Sequence, residues 1–362
     1  MQLNKPAADC YASPMSLKSL IDTGTKVWLD SVDPDEVEKY KKLGATGATS
    51  NPAIISSLIN SGRFDDHLEA LLTDMNDVAA AWAMCDYLVS KAQDQFQPTW
   101  EDTKCNDGWV SFELDPLIED PEEDMPHDKR VERYIALGKH WGSGYTNRMI
   151  KVPATPAGID ALEPLAAAGL TLNVTLIFTE RQYEAARDAV WRGAQQRKNG
   201  LDRFKSVYSI FISRVDVYTK DHVSELSDAA QGKMGLYNAK RLWQSNQDFW
   251  ADKNCPLQQE IIFASTGAKL DWQAEDYYVK EVAGSDIQTN PPETNEFIAE
   301  KGSGYTKTVD QMYDDAIVDE LKKVDVAKME DVLMEEGIAK FAKPQKKLLE
   351  TVRQKRESLQ TA

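Results

Sequence analysis

The stretch RMIKVPATPAGIDALEPLAAAGLTLNVTLIF, residues 148–178, decides the fold. Its two ends, 148–154 and 170–178, are apolar runs rich in β-branched residues, which predict buried strands. Between them, residues 156–168 carry apolar side chains at helical spacing, behind a capping Thr155 and a first-turn proline. The stretch is therefore predicted to form two parallel strands joined by a helix.

The same alternation of strand and helix runs along most of the 362-residue chain. The segments predicted as strands are 25–30, 44–50, 108–113, 148–154, 170–178, 206–213, 260–266 and 276–283. Eight strands that alternate with helices predict an α/β fold, the closed (β/α)8 or TIM barrel. An open doubly wound sheet is the alternative, but WLDSVDP after the first strand has no glycine-rich phosphate turn.

Further helices are predicted after the barrel. They are 292–300, 309–321, 326–341 and 343–360. We find no repeat or convincing linker, so residues 1–362 are predicted to be a single domain, with the barrel at about 20–300 and the C-terminal helices at about 305–362. The last twenty residues carry six Lys or Arg against two Glu, which indicates a solvated basic helix face or, alternatively, a docking site for an anion.

Composition limits the possible functions. The chain has 42 Lys and Arg against 59 Asp and Glu, so its formal charge of −17 should repel nucleic acid and anionic membranes. No apolar run approaches the roughly 20 residues that span a bilayer, and MQLNKPAADCYASP does not resemble a signal peptide. Four scattered cysteines and four scattered histidines predict reduced thiols and no metal site. We expect a cytoplasmic protein whose chemistry uses Lys, Asp, Glu and hydroxyl groups.

Polar residues near the carboxyl ends of the predicted strands are the candidate site residues, because barrels of this type hold their active sites at that end. They are Asp30, Asn51, Glu113, Lys151, Asn173, Thr175 and Ser265. Asn173, Thr175 and Ile177 should share one face of the fifth strand, because side chains alternate along a strand. Taken singly, Asp30 and Glu113 are more typical of helix caps or salt-bridge partners, and it is their joint appearance with Lys151 at strand ends that favours a functional site.

Lys151 is the strongest candidate for a catalytic residue. In MIKVP it lies between apolar neighbours, on a strand that helices should cover. Burial favours the uncharged amine, whose lone pair an imine-forming nucleophile needs. The alternative is a structural lysine that reaches the barrel rim or pairs with a carboxylate. The strand alone favours neither interpretation.

Arg214, at the end of SIFISR, predicts a phosphate site together with ASTGAK at 264–269. A guanidinium is a planar fork of donors that suits a dianion, and barrels often bind phosphate after their late strands. ASTGAK adds hydroxyl groups, close backbone approach and, at Lys269, a second cation. Alternatively, Arg214 is a surface residue that pairs with Asp216.

Several segments, in order, resemble the transaldolase family, the Schiff-base enzymes of the pentose phosphate pathway. They are GATSNPAI, IKVPATPAGIDAL, GLTLNVTLIFTERQY and the SxFxSRVD pattern at 209–216. ASTGAK and the later TNPPET look like a longer bacterial-type branch. The resemblance covers nearly the whole chain and implies the transaldolase form of the (β/α)8 barrel.

The resemblance implies a role for each candidate. Lys151 is the Schiff-base lysine, and Asp30 is the acid/base at the hydroxyl of the cleaved bond. Glu113 is a proton shuttle that holds the catalytic water with Thr175. The residues implied at substrate or phosphate positions are Asn51, Asn173, Ser209, Phe211, Arg214 and Ser265, with Asn51 and Asn173 on the dihydroxyacetone unit. Many relatives have an arginine two residues after Ser265, where this chain has Gly267, which puts the second phosphate cation, Lys269, in doubt.

The implied activity moves a dihydroxyacetone unit from sedoheptulose 7-phosphate or fructose 6-phosphate to glyceraldehyde 3-phosphate or erythrose 4-phosphate, without a cofactor. The nearest alternative is fructose-6-phosphate aldolase activity, whose enzymes resemble this family but carry Gln at the Glu113 position and Tyr at the Phe211 position. A non-catalytic barrel that binds sugar phosphates is the third interpretation. Sugar phosphates are the expected partners, and the protein is expected to be a homodimer or a monomer.

Overall fold

The computed structural model describes residues 15–302 and 304–361, and in it eight parallel strands close into a barrel. The strands are β1 (Lys26–Leu29), β2 (Gly47–Thr49), β3 (Val110–Glu113), β4 (Arg148–Pro153), β5 (Leu172–Ile177), β6 (Ser206–Phe211), β7 (Glu260–Ala264) and β8 (Ile287–Asn290). Each pairs with its neighbours in sequence, and β8 closes the ring against β1. The predicted (β/α)8 barrel is confirmed.

Helices connect the strands and follow the last one. They are α1 (Met15–Asp22), α2 (Pro34–Lys42), α3 (Pro52–Asn60), α4 (Asp65–Asp74), α5 (Asp77–Asp102), α6 (His127–Gly142), α7 (Pro156–Ala167), α8 (Glu180–Ala194), α9 (Ser213–His222), α10 (Met234–Trp250), α11 (Tyr277–Glu281), α12 (Pro292–Lys301), α13 (Asp315–Leu321) and α14 (Val326–Thr361). Two 3₁₀ turns, Pro116–Glu119 and Pro121–Glu123, follow β3. Asp33, Asn51, Thr155 and Thr179 each accept a hydrogen bond from a backbone N–H of the helix they cap.

Two predictions concern the chain's N-terminal region and cysteines. Cys10 and the stretch MQLNKPAADCYASP lie outside the described residues. Cys85, Cys105 and Cys255 are free thiols. In the described part of the chain, no helix has the length and apolar composition that crossing a bilayer requires.

The eighth strand is not where the sequence predicts it. Residues 276–283 instead contain the short helix α11. Tyr278 and Val279 of this helix bury their side chains in the core. The true β8 is the short polar run IQTN, which has no strand pattern of its own. It is a strand because β1 and β7 pair with it on both sides, and it is buried throughout.

The predicted alternation along β5 is wrong at Ile177. Leu176 has a φ of +57°, and the pairing of β5 with β6 shifts register between Val174 and Ile177. Ile177 therefore packs with Val174 in the main core, away from the cavity that Asn173 and Thr175 line. Leu176 packs under α14 instead, where a Cβ at Gly337 would come within 3.2 Å of its side chain.

The two predicted C-terminal helices, 326–341 and 343–360, are one helix, α14. Pro344 lies within it, although a proline there removes a helical hydrogen bond and crowds the preceding turn. Burial of Leu348 and Val352 in the main core offsets that penalty. The helix packs against α3, α5, α9 and the first 3₁₀ turn.

Ion pairs hold the basic end of α14 to the barrel. Lys346 lies 2.6 Å from Asp120 and 2.5 Å from Glu122, and Lys355 lies 2.6 Å from Asp65. Arg356 pairs with Asp77 and donates to two backbone carbonyls. Lys346, Lys355 and Arg356 are therefore engaged by groups of the same chain, so these three residues form neither a freely solvated face nor an anion-docking site.

Asp216 in α9 is buried and has no cation beside it among the described residues. Its carboxylate accepts hydrogen bonds from the backbone N–H of Gly235 at 2.7 Å and from the Tyr278 hydroxyl at 2.9 Å. Burial raises the pKa of Asp216 to about 7, and the two hydrogen bonds oppose this rise. Because the folded chain retains this proton at a higher pH than the unfolded chain does, the contribution of Asp216 to stability falls as pH rises from about 4 to 7.

We expect Asp216→Asn to become more stable relative to the wild type as pH rises, because the amide does not ionise and can still accept from Gly235. Free energies of unfolding in urea at pH 5 and pH 8 measure the effect. Asp228→Asn, at an exposed position, is the matched control and should show the same difference from the wild type at both pH values. A pH-independent difference for Asp216→Asn would contradict the prediction.

Candidate active site

A cavity of about 190 Å³ lies at the carboxyl end of the barrel, beside α14. The predicted site residues that line it are Asp30, Asn51, Lys151, Asn173, Thr175, Ser209, Phe211, Arg214, Ser265 and Lys269. Glu113 is the remaining predicted residue, and it contacts Lys151 from the neighbouring strand. The structure thus brings all eleven predicted side chains to one place.

Lys151 and Glu113 are opposite each other on adjacent strands, because β3 and β4 pair in register at these residues. Nζ of Lys151 lies 3.5 Å from Oε2 of Glu113 and donates to the Ser50 carbonyl oxygen at 3.3 Å. The Lys151 side chain is only 7% exposed. Oε2 of Glu113 has no hydrogen-bond partner in the described chain, so the pair is an ion pair without a direct hydrogen bond.

The two carboxyl groups of the site have raised pKa values. Burial raises the pKa of Glu113 to about 7, and the nearby Lys151 opposes this rise. Burial also raises the pKa of Asp30, opposed by Lys151 and reinforced by Glu293. A carboxyl group whose pKa lies near neutral pH can both give and take a proton under ordinary conditions.

Helix capping fixes the position of Asn51 beside Asp30. Asn51 follows β2, and its Oδ1 accepts from the Ile54 backbone N–H at 3.0 Å, which begins α3. Its Nδ2 then reaches Asp30 Oδ1 at 3.4 Å. One residue therefore starts a helix and contacts the half-buried Asp30 carboxylate.

Hydroxyl groups fix the amide of Asn173. Its Nδ2 donates to Ser111 Oγ at 2.9 Å, and its Oδ1 accepts from Ser209 Oγ at 2.7 Å. The second amide hydrogen remains for a ligand, so Asn173 can be hydrogen-bonded inside the barrel and still bind a substrate. Thr175, two residues on, has a buried hydroxyl with no partner in the described chain.

Arg214 lies at the start of α9 without a carboxylate partner among the described residues. Its guanidinium carbon lies 4.8 Å from the Phe211 ring centre, and Nη1 is buried without an acceptor. Asp216 points instead to Gly235 and Tyr278, so the alternative Arg214–Asp216 pair does not form. Burial lowers the pKa of Arg214, which an anion at this position would offset.

The ASTGAK segment places a hydroxyl and a second cation near Arg214. Ser265 has a φ of +58°, and its Oγ lies 2.8 Å from that of Ser213. Lys269 is exposed and lines the cavity, and its Nζ would lie 3.9 Å from a Cβ at position 267. Gly267 therefore leaves that space open.

Sequence reasoning missed Phe341, which extends from α14 to line the cavity. Its ring centre lies 5.5 Å from Lys151 Nζ and 5.9 Å from the Arg214 guanidinium carbon. Nothing in a helical pattern distinguishes a residue that covers a distant site from one that packs in the core. Thr49 was also missed, although its place at the end of β2 could have indicated it.

A search of the described residues finds no group of three His, Cys, Asp or Glu side chains that could hold a metal ion. The polar groups that the cavity presents are an amine, carboxyl groups, amides, hydroxyl groups and a guanidinium. An amine can act as a nucleophile, carboxyl groups with raised pKa values can exchange protons, and two cations can attract an anion.

A parallel barrel with a buried lysine between carboxyl groups at its carboxyl end is the architecture of a lysine-dependent, aldolase-type enzyme. The transaldolase/fructose-6-phosphate aldolase family model matches residues 27–352, and the chain belongs to this family. A transaldolase of Thermobifida fusca is 32% identical, covering 93% of this chain and 97% of its own. Transaldolase 2 of Streptomyces avermitilis is also 32% identical, covering 90% and 93%, and a Mycobacterium bovis transaldolase is 30% identical, covering 93% and 96%.

We expect the Glu113 carboxyl group to titrate near pH 7, and we expect Lys151→Met to raise its pKa further, because the substitution removes the cation that most opposes the effect of burial. Infrared difference spectra of the carboxyl band against pH measure this, and Glu113→Gln assigns the band. Arg214→Ala should give a smaller rise, since Arg214 is the weaker of the two cationic influences. A lower pKa in Lys151→Met would contradict the geometry described.

Proposed function

We propose that the chain is a transaldolase. It transfers a dihydroxyacetone unit from sedoheptulose 7-phosphate or fructose 6-phosphate to glyceraldehyde 3-phosphate or erythrose 4-phosphate. The observation that carries the proposal is the Lys151 amine, buried in the cavity 3.5 Å from Glu113 in a member of this family. The relatives named transaldolase, matched over most of their length, support the same activity.

The reaction begins at Lys151. Its neutral amine attacks the C2 ketone of the donor, and loss of water gives a protonated imine. The imine is an electron sink, so it accepts the electron pair of the C3–C4 bond when that bond breaks. Asp30 takes the C4 hydroxyl proton, and the shortened aldose phosphate leaves. The bound three-carbon enamine then attacks the second aldehyde, and hydrolysis of the new imine frees the product.

Glu113 and Thr175 bind the water molecule that imine formation releases and imine hydrolysis consumes. The Thr175 hydroxyl and Glu113 Oε2 are both buried and both lack a partner in the described chain, which favours a water between them. The Glu113 pKa near 7 suits a group that protonates the departing hydroxyl and later deprotonates an attacking water. Asp30 and Glu113 thus act at different bonds.

The remaining residues bind the substrate. Asn51, Asn173 and Ser209 are assigned to the hydroxyl and carbonyl groups of the dihydroxyacetone unit. Arg214, Ser265 and Lys269 are assigned to the phosphate, because two cations without carboxylate partners in the described chain lie together there. We also propose that the enzyme works in the cytoplasm, without a cofactor, as a homodimer or monomer.

Transfer is favoured over the aldolase reaction by two residues. Relatives with aldolase activity carry Gln and Tyr at the positions of Glu113 and Phe211. Here Glu113 can relay a proton, and the Phe211 ring, which packs 5.6 Å from Phe178 and 4.8 Å from Arg214, brings no hydroxyl to hold a hydrolytic water. A non-catalytic barrel is disfavoured, because the lysine and both carboxyl groups are present.

Borohydride trapping should separate the roles of Lys151, Asp30 and Glu113. Lys151→Met should abolish turnover and trapping, since the imine forms on that amine. Asp30→Ala should trap an adduct with the mass of the whole ketose phosphate, because cleavage fails after imine formation. Glu113→Gln should slow imine formation and release, because an amide cannot relay protons. Mass spectrometry of the reduced proteins identifies each adduct.

Lys340→Met is the matched control for these trapping experiments, because Lys340 is exposed on α14 and outside the cavity. It should trap the three-carbon adduct like the wild type. Retained trapping in Lys151→Met would reject that lysine as the nucleophile. A three-carbon adduct that accumulates normally on Asp30→Ala would show that another group removes the C4 proton.

Arg214→Ala should raise KM for phosphorylated substrates roughly ten- to a hundredfold, the usual effect of losing a charge-assisted hydrogen bond. Lys269→Ala should have a weaker effect, because this lysine is exposed and screened by water. Steady-state assays with sedoheptulose 7-phosphate and glyceraldehyde 3-phosphate measure both. Lys220→Ala, an exposed cation on α9, controls for loss of charge. Unchanged KM in both variants would place the phosphate elsewhere.

A further inference from the structure

A second cavity, of about 800 Å³, lies at the opposite end of the barrel from Lys151. Its walls come from the loops that lead into β4, β5 and β6, together with Trp100 at the end of α5 and Trp109 before β3. It shares no lining residue with the candidate active site. Its volume is in the range of pockets that hold small organic molecules.

Unpaired cations line this cavity. Arg197, Lys198 and Arg203 lie in the loop between α8 and β6, and none has a carboxylate within ion-pair distance in the described chain. Asp202 is the carboxylate of the lining. Arg148 also lines the cavity, but its charge is balanced by Asp86 at 2.8 Å. A local excess of positive charge is unexpected in a chain with a formal charge of −17.

Several hydrogen-bond donors of the cavity lining are buried and have no acceptor in the described chain. Nε and Nη1 of Arg197 are buried with no hydrogen-bond partner in the described chain, and so is the indole N–H of Trp100. Nη2 of Arg197 makes one long contact, 3.5 Å, to the Arg203 carbonyl oxygen. No side-chain acceptor of the cavity lining is left unpaired in the same way among the described residues. What is unsatisfied is therefore donor capacity, which an anion completes.

Aromatic rings hold the two guanidinium groups in place. The guanidinium carbon of Arg197 lies 5.6 Å from the Phe204 ring centre, and that of Arg203 lies 5.8 Å from Trp100. A guanidinium fixed against a ring loses little freedom when it binds, and its fork of donors matches a phosphate. Burial also lowers the pKa of Arg197, and a bound anion would reverse that effect.

We propose that this cavity binds a phosphorylated small molecule through Arg197, Lys198 and Arg203. Three cations match a ligand with at least two phosphate charges, and the guanidinium groups of Arg197 and Arg203 offer forks of donors to the phosphate oxygens. A single inorganic phosphate fills only a small part of the volume, so the ligand carries a second group toward the aromatic wall of Trp100, Trp109 and Tyr145. This inference does not rest on the proposed activity.

The test measures binding with the phosphate site of the active site removed. In the double variant Arg214→Ala, Lys269→Ala, calorimetric titration with pyrophosphate and with ADP, in the absence of divalent metal, should each show one site. Adding Arg197→Gln should weaken that site at least about tenfold, because a charge-assisted contact is lost. Arg192→Gln, an exposed arginine on the neighbouring α8, should leave the affinity unchanged.

Two further measurements make the result decisive. Arg203→Gln removes an exposed cation, so folding should survive, and it should also weaken binding if Arg197→Gln proves unstable. ADP that binds more tightly than pyrophosphate would place the organic group on the aromatic wall, whereas equal affinities would assign recognition to the phosphates. Adenosine that binds as well as ADP, an absent site, or unchanged affinity in the arginine variants would overturn the proposal.

Discussion

The burial of the Lys151 ammonium beside Glu113 is the constraint on which the site depends. A charged group taken out of water is costly unless it is paired, and removing one partner leaves the other uncompensated. Here the pairing is incomplete, since the two groups lie 3.5 Å apart without a direct hydrogen bond. The resulting compromise raises the Glu113 pKa to about 7 and leaves the amine held by little more than one carbonyl oxygen, that of Ser50. Incomplete pairing therefore gives up stability and leaves the Glu113 carboxyl group with a pKa near neutral pH.

The sequence predicts the part of this arrangement that follows from barrel geometry. Parallel strands end at one rim, so polar residues such as Asp30 and Asn173 at strand ends must converge. It does not predict β8, because IQTN becomes a strand only through pairing with its neighbours. The sequence also does not predict the positive φ of Leu176, which exchanges the faces of β5. Nor does it predict Phe341 at the site, because the position of that residue depends on where α14 crosses the rim. Local patterns contain neither kind of long-range information.

Buried charges are compensated in different ways at the two ends of the barrel. Inside the amino-terminal end, Glu260 lies between Lys26, at 2.7 Å, and Lys205, and burial is compensated by direct pairing. The pKa of Glu260 is accordingly lowered by those two lysines, despite burial that acts the other way. At the carboxyl end, burial dominates and raises the pKa of both Glu113 and Asp30. Direct pairing gives a rigid structural base, and looser pairing gives groups that exchange protons.

The long C-terminal helix α14 covers part of the carboxyl end of the barrel, which the strands leave open. Eight strands leave the rim exposed to water, which weakens an ion pair such as that of Lys151 and Glu113. Helix α14 supplies Phe341 over Lys151 and Arg214, and Leu333 in the apolar cluster that contains Leu176 and Phe211. The ion pairs of Lys346 and Lys355 then fix the helix to the acidic loops and helices of the barrel. Because the helix continues through Pro344, Phe341 at the site and the lysines that anchor the helix belong to one continuous element, so the position of the ring over the cavity depends on ion pairs formed further along the same helix.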